Sequence, residues 1–352
     1  MHHMQARGIR AALDLAQGQL AYLEVQRGTR RIAPFARVPW ADADDPARLT
    51  DAPPHLRAMS GDFFCAPFCA DDVAHEAPLH GWPANAPWEL VETKTLADGI
   101  SARFRLTRKV AGATLEKIWV LRHDHPFLYQ RHDFIGGTQA IPVAHHAMVD
   151  LRSGGILNFS PKLWAETPAQ GLEPGRSLLS YPARAENLAA FPGVTGPVNL
   201  TCYPLGHRHE DFAMLIDDPA QTYGWATALR PAYGDVAILL KPVARLPQTM
   251  LWFSNGGRDH APWCGQHVGI LGIEDACALG GEGWAAAIAP NRLTAQGIAT
   301  ALNLGAAPVV SIATAMGALP CDAEDRLTLD VQAQGITLSD GSTAPFDAGW
   351  LG

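Results

Sequence analysis

The chain has 352 residues, with 27 Lys+Arg against 35 Asp+Glu and a formal charge of −8 at pH 7. Charged residues make up 18% and apolar ones 47%, a balance that can bury a core and excludes intrinsic disorder. Negative charge without a Lys/Arg cluster excludes nucleic acid and anionic membrane surfaces as partners, which leaves a neutral, polar small molecule.

Taken in chain order, the first eighteen residues carry Arg7, Arg10, Asp14 and Gln17 and no apolar run of a secretory signal. They are expected at the periphery, and His2 and His3 are given no role. Alternation of apolar and polar residues then dominates. Residues 20–28, 88–95, 99–109, 113–122 and 127–135 read as strands, with turns at Ala97-Asp98-Gly99, Ala111-Gly112 and Gly136-Gly137. In 113–122, Leu115, Lys117, Trp119 and Leu121 share one face. Residues 171–197 read as a long Pro-containing loop. Segments 213–216, 222–229, 236–241, 249–253 and 327–338 read as further strands, and only 284–289 and 293–298 show helical periodicity. The run between Arg292 and Asp322 is uncharged but broken by Gln296, Asn303, Pro308 and Ser311, too polar to span a membrane. Strands following strands predict an all-β chain, a large antiparallel β-sandwich spanning residues 1–352 as one domain.

Six cysteines in a chain of this length make no disulfide framework, and Cys65-x-x-x-Cys69 has the wrong spacing for a redox pair. They are expected to be reduced and buried, which fits the cytoplasm. Two groups offer metal-ligand residue types, His123/His125 with His132 and His207/His209 with Glu210. The first lacks a nearby Glu, and the second has its Glu on the opposite face of a strand. No metal and no cofactor is expected. Phosphate-loop, dinucleotide and Gly-x-Ser-x-Gly motifs are absent.

Four segments are richer in polar and aromatic residues than a β core needs. They are His55-Leu56-Arg57 with Gly61 to Phe68; His80-Gly81-Trp82 with Asn85 and Trp88-Glu89; His145-His146; and Trp252 to Trp263, followed by Gly269-Ile270-Leu271-Gly272-Ile273-Glu274. In this order they resemble the aldose 1-epimerase (mutarotase) family and its galactose-mutarotase-like superfamily, over roughly residues 20–340. The resemblance implies the supersandwich form of the all-β fold and an isomerase that interconverts the α and β anomers of a hexose. A non-catalytic carbohydrate-binding protein on the same fold is the alternative.

Opening the sugar ring needs one group to protonate the ring oxygen and another to deprotonate the anomeric hydroxyl. The resemblance places the acid on His146 and the base on Glu274, with His80 orienting the sugar near the ring oxygen. It implies that Arg57 and Asn85 hold hydroxyls, and the tryptophans, Trp82, Trp252 and Trp263, offer apolar faces to the pyranose. The family's hydroxyl-binding Asp has three counterparts, Asp211, Asp235 and Asp259, of which Asp211 has the best local context. The sequence departs from the family at Ala147-Met148, where an aromatic pair is usual. Without a catalytic role, Glu274 reads as an ion-pair partner of Arg258 or as a simple strand end.

Overall fold

The computed structural model describes residues 1–41, 49, 51–323 and 325–352. Two large antiparallel sheets dominate. A nine-stranded sheet runs in the order Cys202–Tyr203, Gly155–Phe159, Tyr223–Arg230, Asp235–Pro242, Val309–Pro320, Phe127–Ile135, Ala113–Arg122, Gly99–Val110 and Trp88–Leu96. An eight-stranded sheet runs Arg184–Ala185, Lys162–Glu166, His209–Asp217, Gln248–Asn255, Ile270–Cys277, Val143–His145 and Phe64–Cys65. Its eighth strand, Ala147–Asp150, also pairs with Ile270–Cys277. A four-stranded N-terminal meander and a three-stranded C-terminal one complete the architecture, with one two-stranded ribbon.

Alternation decides what each face buries. Leu115, Trp119, Leu121, Leu128 and Phe134 of the nine-stranded sheet join Ala213, Leu215, Leu251, Phe253, Leu271 and Ile273 of the eight-stranded sheet in one core. The opposite face of the eight-stranded sheet carries a second cluster, built on Met148, Phe212, Met214, Ile216, Met250, Trp252 and Ile270. Loop residues Trp40, Phe63, Phe68 and Trp263 cover it. An outer face that is apolar and roofed by loops, rather than solvated, is where a ligand cavity can form.

Residues 113–122 and 127–135 are strands with the predicted bounds, and the shared face in the first is buried, Lys117 included. That lysine donates to the Gly18 carbonyl at 2.5 Å, lies 4.8 Å from the Trp88 ring centre, and is lowered to about 8 by burial.

Several expectations need correction. The first eighteen residues are not peripheral: His2–Ala6 and Ile9–Asp14 form a hairpin, and Met4, Ala6, Ile9, Ala11 and Leu13 are buried in the main core. His2 packs edge-on to Phe104. Residues 327–338 are not one strand but Leu329–Gln332 and Gly335–Leu338, paired as a hairpin. Of the two helical segments, Trp284–Ile288 is α-helical and the other is a single 3₁₀ turn, Thr294–Gln296. Cys65, Cys277 and Cys321 are buried and all six cysteines are free, but Cys202 and Cys264 are exposed. No helix among the described residues is long and apolar enough to cross a membrane.

Leu13→Ala tests the hairpin's place in the core. Deleting a fully buried leucine side chain is expected to lower the unfolding free energy by about 2–5 kcal/mol, read from urea denaturation midpoints; a peripheral hairpin would leave the midpoint unchanged.

Candidate active site

The site is set by strand parity. In Ile270–Cys277 the even-numbered residues Ile270, Gly272, Glu274 and Ala276 face the loop-covered side, and Leu271, Ile273 and Cys277 face the main core. The neighbouring strands pair at constant register, Ala144 with Ala276 and Ala147 with Ile273. That register sets His146 directly across from Glu274. The two side chains meet, His146 Nε2 lying 3.2 Å from Glu274 Oε1, and both are buried. Next in line, Trp252 pairs with Gly272. A Cβ on Gly272 would stand 3.0 Å from the Trp252 Cβ and 3.2 Å from His146 Cε1, so this glycine leaves the space into which both rings settle.

The pair lies in a cavity of about 860 Å³. Phe63 stacks on His146 at 4.5 Å between ring centres, and Trp252 and His80 meet it edge-on at 5.6 and 5.7 Å. Phe68, Phe212 and Trp263 extend the aromatic wall, and the loop residues Pro168, Ala169, Gln170 and Leu172 line its rim. Trp252 is anchored from behind. Its indole donates to Glu210 Oε2 at 3.0 Å, and Ser254 donates to Glu210 Oε1 at 2.8 Å. Having given its proton, Ser254 accepts from His267 Nδ1 at 2.7 Å, and His267 stacks on Trp252.

His80 reaches the site from the loop after Cys69, to whose carbonyl its backbone N–H donates at 2.8 Å. It has φ +68°, in the left-handed region. Gly81 follows at φ +76°, and a Cβ there would stand 2.0 Å from the Ala66 carbonyl oxygen. Only glycine permits that approach.

Burial sets the protonation of the pair. It pushes the Glu274 carboxyl up to about 8 and the His146 imidazole down to about 3, because each charged form would lose its hydration. Neither Glu274 Oε2 nor His146 Nδ1 has a partner among the described residues. Near neutral pH the pair is therefore a carboxylic acid beside a neutral imidazole. It holds one acid and one base in contact, with polar valences left over. His80 is likewise held neutral by burial.

The cavity gathers His146, Glu274, His80, Trp252 and Trp263 from the sequence-predicted set. It does not gather Arg57, Asn85, Asp211 or Trp82. Arg57 ends the short helix Pro54–Arg57 and is exposed. Asn85 is buried, and its whole amide is committed to His55, Leu79 and Gly81. Asp211 has the wrong parity: it sits on the face opposite Phe212 and accepts from the backbone of Leu178 and Leu179 and from His209. Trp82 packs beneath Arg108. The other two aspartates are also engaged elsewhere, Asp235 with Arg230 and Asp259 with Arg176 and Arg208.

Arg258 does line the cavity, but its ion-pair partners are Glu173 at 3.4 Å and Glu210 at 3.8 Å rather than Glu274. Its guanidinium lies 4.6 Å from the Trp263 ring centre and 5.3 Å from that of Trp252. Sequence reading assigned His55 and Phe63 no role of their own in the site and suggested Glu210 only as a metal ligand. The parity of Glu210 with Phe212 in a strand longer than 213–216 was the signal for the last of these. Among the described residues no group of His, Cys, Asp and Glu is arranged to hold a metal ion.

No family model matches the chain, and no curated protein does. Solved structures are similar across nearly the whole chain. The galactose mutarotase related enzyme of Lactobacillus acidophilus has a TM-score of 0.55 and 11% identity, covering 92% of this chain and 99% of its own. A candidate aldose 1-epimerase of Escherichia coli K12 has a TM-score of 0.55 and 14% identity, over 90% and 98%. The Slr1438 protein of Synechocystis sp. PCC 6803 has 0.55 and 14%, over 91% and 95%. At such identities the likeness is one of fold: the chain has the galactose-mutarotase-like β-sandwich fold.

The raised Glu274 carboxyl carries a stability signature. Below its ordinary value of 4.5 it is protonated in both folded and unfolded chains and makes no difference. As pH rises towards about 8 the unfolded chain ionises it freely and the folded one does not, so stability falls across that window. Glu274→Gln, neutral throughout, is expected to gain on the wild type over this range. Thermal midpoints at either end of it check this, and an unchanged difference would mean that Glu274 ionises normally in the fold.

Proposed function

We propose that this protein is an isomerase of the aldose 1-epimerase type, exchanging the α and β anomers of a hexose by general acid–base catalysis. The observation that carries the reading is the buried 3.2 Å contact of His146 with Glu274 in an aromatic-walled cavity roomy enough for a sugar.

The reaction follows from the protonation of the pair. In ring opening, Glu274 gives its proton to the ring oxygen as the C1–O5 bond breaks. The anomeric hydroxyl gives its proton to a neutral imidazole, His146, and C1 becomes the aldehyde carbon. The pair is then carboxylate beside imidazolium, and its short contact stabilises the charges that have formed. Rotation about C1–C2 presents the other face, and the two transfers run backwards to close the ring. In this first step the acid is Glu274 and the base His146. That reverses the order expected from the resemblance, because burial places the resting proton on the carboxyl. The closing step exchanges the roles again, so one pair serves both directions. His80 orients the sugar in this reading, which its edge-on contact with His146 supports. Trp252 and Trp263 offer the apolar faces that pyranose C–H groups favour.

Glu274→Gln keeps the shape and removes the transferable proton. Anomer exchange, followed by saturation-transfer NMR over a panel of aldoses, is expected to slow by roughly two to four orders of magnitude while sugar binding persists. A variant that exchanges anomers at the wild-type rate would sink the reading. Sugar binding by a wild type that shows no turnover would favour a sugar-binding protein.

A further inference from the structure

Four histidines line the cavity; the proposed reaction uses His146 and His80, and His260 is exposed and lies near Glu173. The remaining one, His55, is buried: it belongs to the short helix Pro54–Arg57 and is 1% exposed. Its ring stands edge-on to His80 at 5.2 Å and tilts against Phe63 at 5.8 Å, so it joins the wall that holds His146.

The hydrogen bonds around Asn85 decide which nitrogen of His55 carries the proton. The Asn85 Nδ2 amide donates to the carbonyls of Leu79 at 2.8 Å and Gly81 at 2.7 Å. Those two acceptors fix the amide's orientation, because an oxygen turned towards them would face two other oxygens. The Oδ1 atom must then accept. It receives the His55 backbone N–H at 3.0 Å and lies 3.0 Å from His55 Nδ1. A pure acceptor at Nδ1 requires Nδ1–H, which leaves Nε2 with a bare lone pair. Burial pushes the imidazole down to about 4 and keeps the ring neutral, partly opposed by its hydrogen bond to Asn85. No protein group among the described residues meets Nε2, and the residue lines the cavity. A fixed acceptor of this kind matches a hydroxyl donor and rejects a position that lacks one.

We propose that His55 contacts the substrate, its Nε2 accepting a hydrogen bond from one hydroxyl of the sugar, and that Asn85 is the positioning residue that holds it in that tautomer. The inference rests on the isomerase reading above. It gives the site a selector for hydroxyl position in addition to its acid–base pair.

Two measurements test it. Two-bond ¹H–¹⁵N spectra of the ¹⁵N-histidine-labelled protein, with His55→Phe to assign the signal, are expected to show Nδ1 protonated and Nε2 bare; the opposite tautomer overturns the proposal. His55→Phe keeps the ring and removes the acceptor. For the preferred aldose its KM is expected to rise about tenfold with a much smaller change in kcat. For the single deoxy analogue lacking the contacted hydroxyl, wild type and variant should have the same KM. His55→Gln, which restores an acceptor, should recover part of the loss. A uniform loss across all analogues would mark a merely structural residue and overturn the proposal, as would an active His55→Phe indifferent to every analogue. If the wild type neither binds nor exchanges any aldose, the isomerase reading fails and this inference with it. An active wild type with an indifferent variant overturns this inference alone.

Discussion

The constraint on which the site depends is the register between the strands at 143–150 and Ile270–Cys277. Ala144 opposite Ala276 and Ala147 opposite Ile273 leave His146 and Glu274 no choice but to be cross-strand neighbours. A slip of one residue would turn one of the two to the other face and dissolve the pair. The cost of misplacement is visible in the adjacent residue. Asp275, one position on, faces inward, where Lys241 meets it at 3.2 Å and the Thr249 hydroxyl at 3.4 Å. One carboxylate is neutralised by a buried lysine and has no further chemistry to offer. Its neighbour, in equally dry surroundings, has only an imidazole for company, so its proton stays available.

A carboxyl and an imidazole in a dry pocket cost the fold something, and the surroundings show how that cost is contained. The pair is neutral, so no isolated charge is buried. The rings around it are held by contacts outside the cavity. Trp252 is tied to Glu210, Glu210 to Ser254, and Ser254 to His267, which stacks back on Trp252. Arg258 closes the same group over two indoles. Glu274 and Trp252 sit on strands and His146 between two of them, whereas His80, Phe63 and Trp263 reach the cavity from loops. An arrangement that must stabilise transient charge gains from such anchoring, since the dipoles need not reorganise as charge appears.

Much of this was legible before any coordinates, and the failures share a cause. Strands 113–122 and 127–135 alternate cleanly and are bounded by turns, so their limits could be read directly. Motif order located His80, His146, Trp252 and Glu274. What order could not convey was which side of a strand a residue takes. Asp211 was chosen by its context of His and Glu, but reading 209–217 as one strand puts it with Ala213 and Leu215 and puts Glu210 with Phe212. The resemblance assigned Arg57 to hydroxyls and gave His55 no role, but one helical turn exposes the first and buries the second. The N-terminal hairpin was missed because its polar residues, Arg7, Arg10 and Asp14, draw attention from the apolar ones that alternate with them.

Asn85 makes the general point. It stands where the resemblance expects a group for sugar hydroxyls, yet every hydrogen-bonding atom of its amide is spent within the protein. Two of those bonds go to Leu79 and Gly81, on either side of His80, and the others to His55. One amide thus braces the loop that carries one cavity histidine and sets the tautomer of another. On the proposal that His55 contacts the sugar, the polar contact expected of the amide falls to the imidazole it holds. Motif order is therefore a guide to where a site lies, but the role of each member follows only from what its donors and acceptors have left to give.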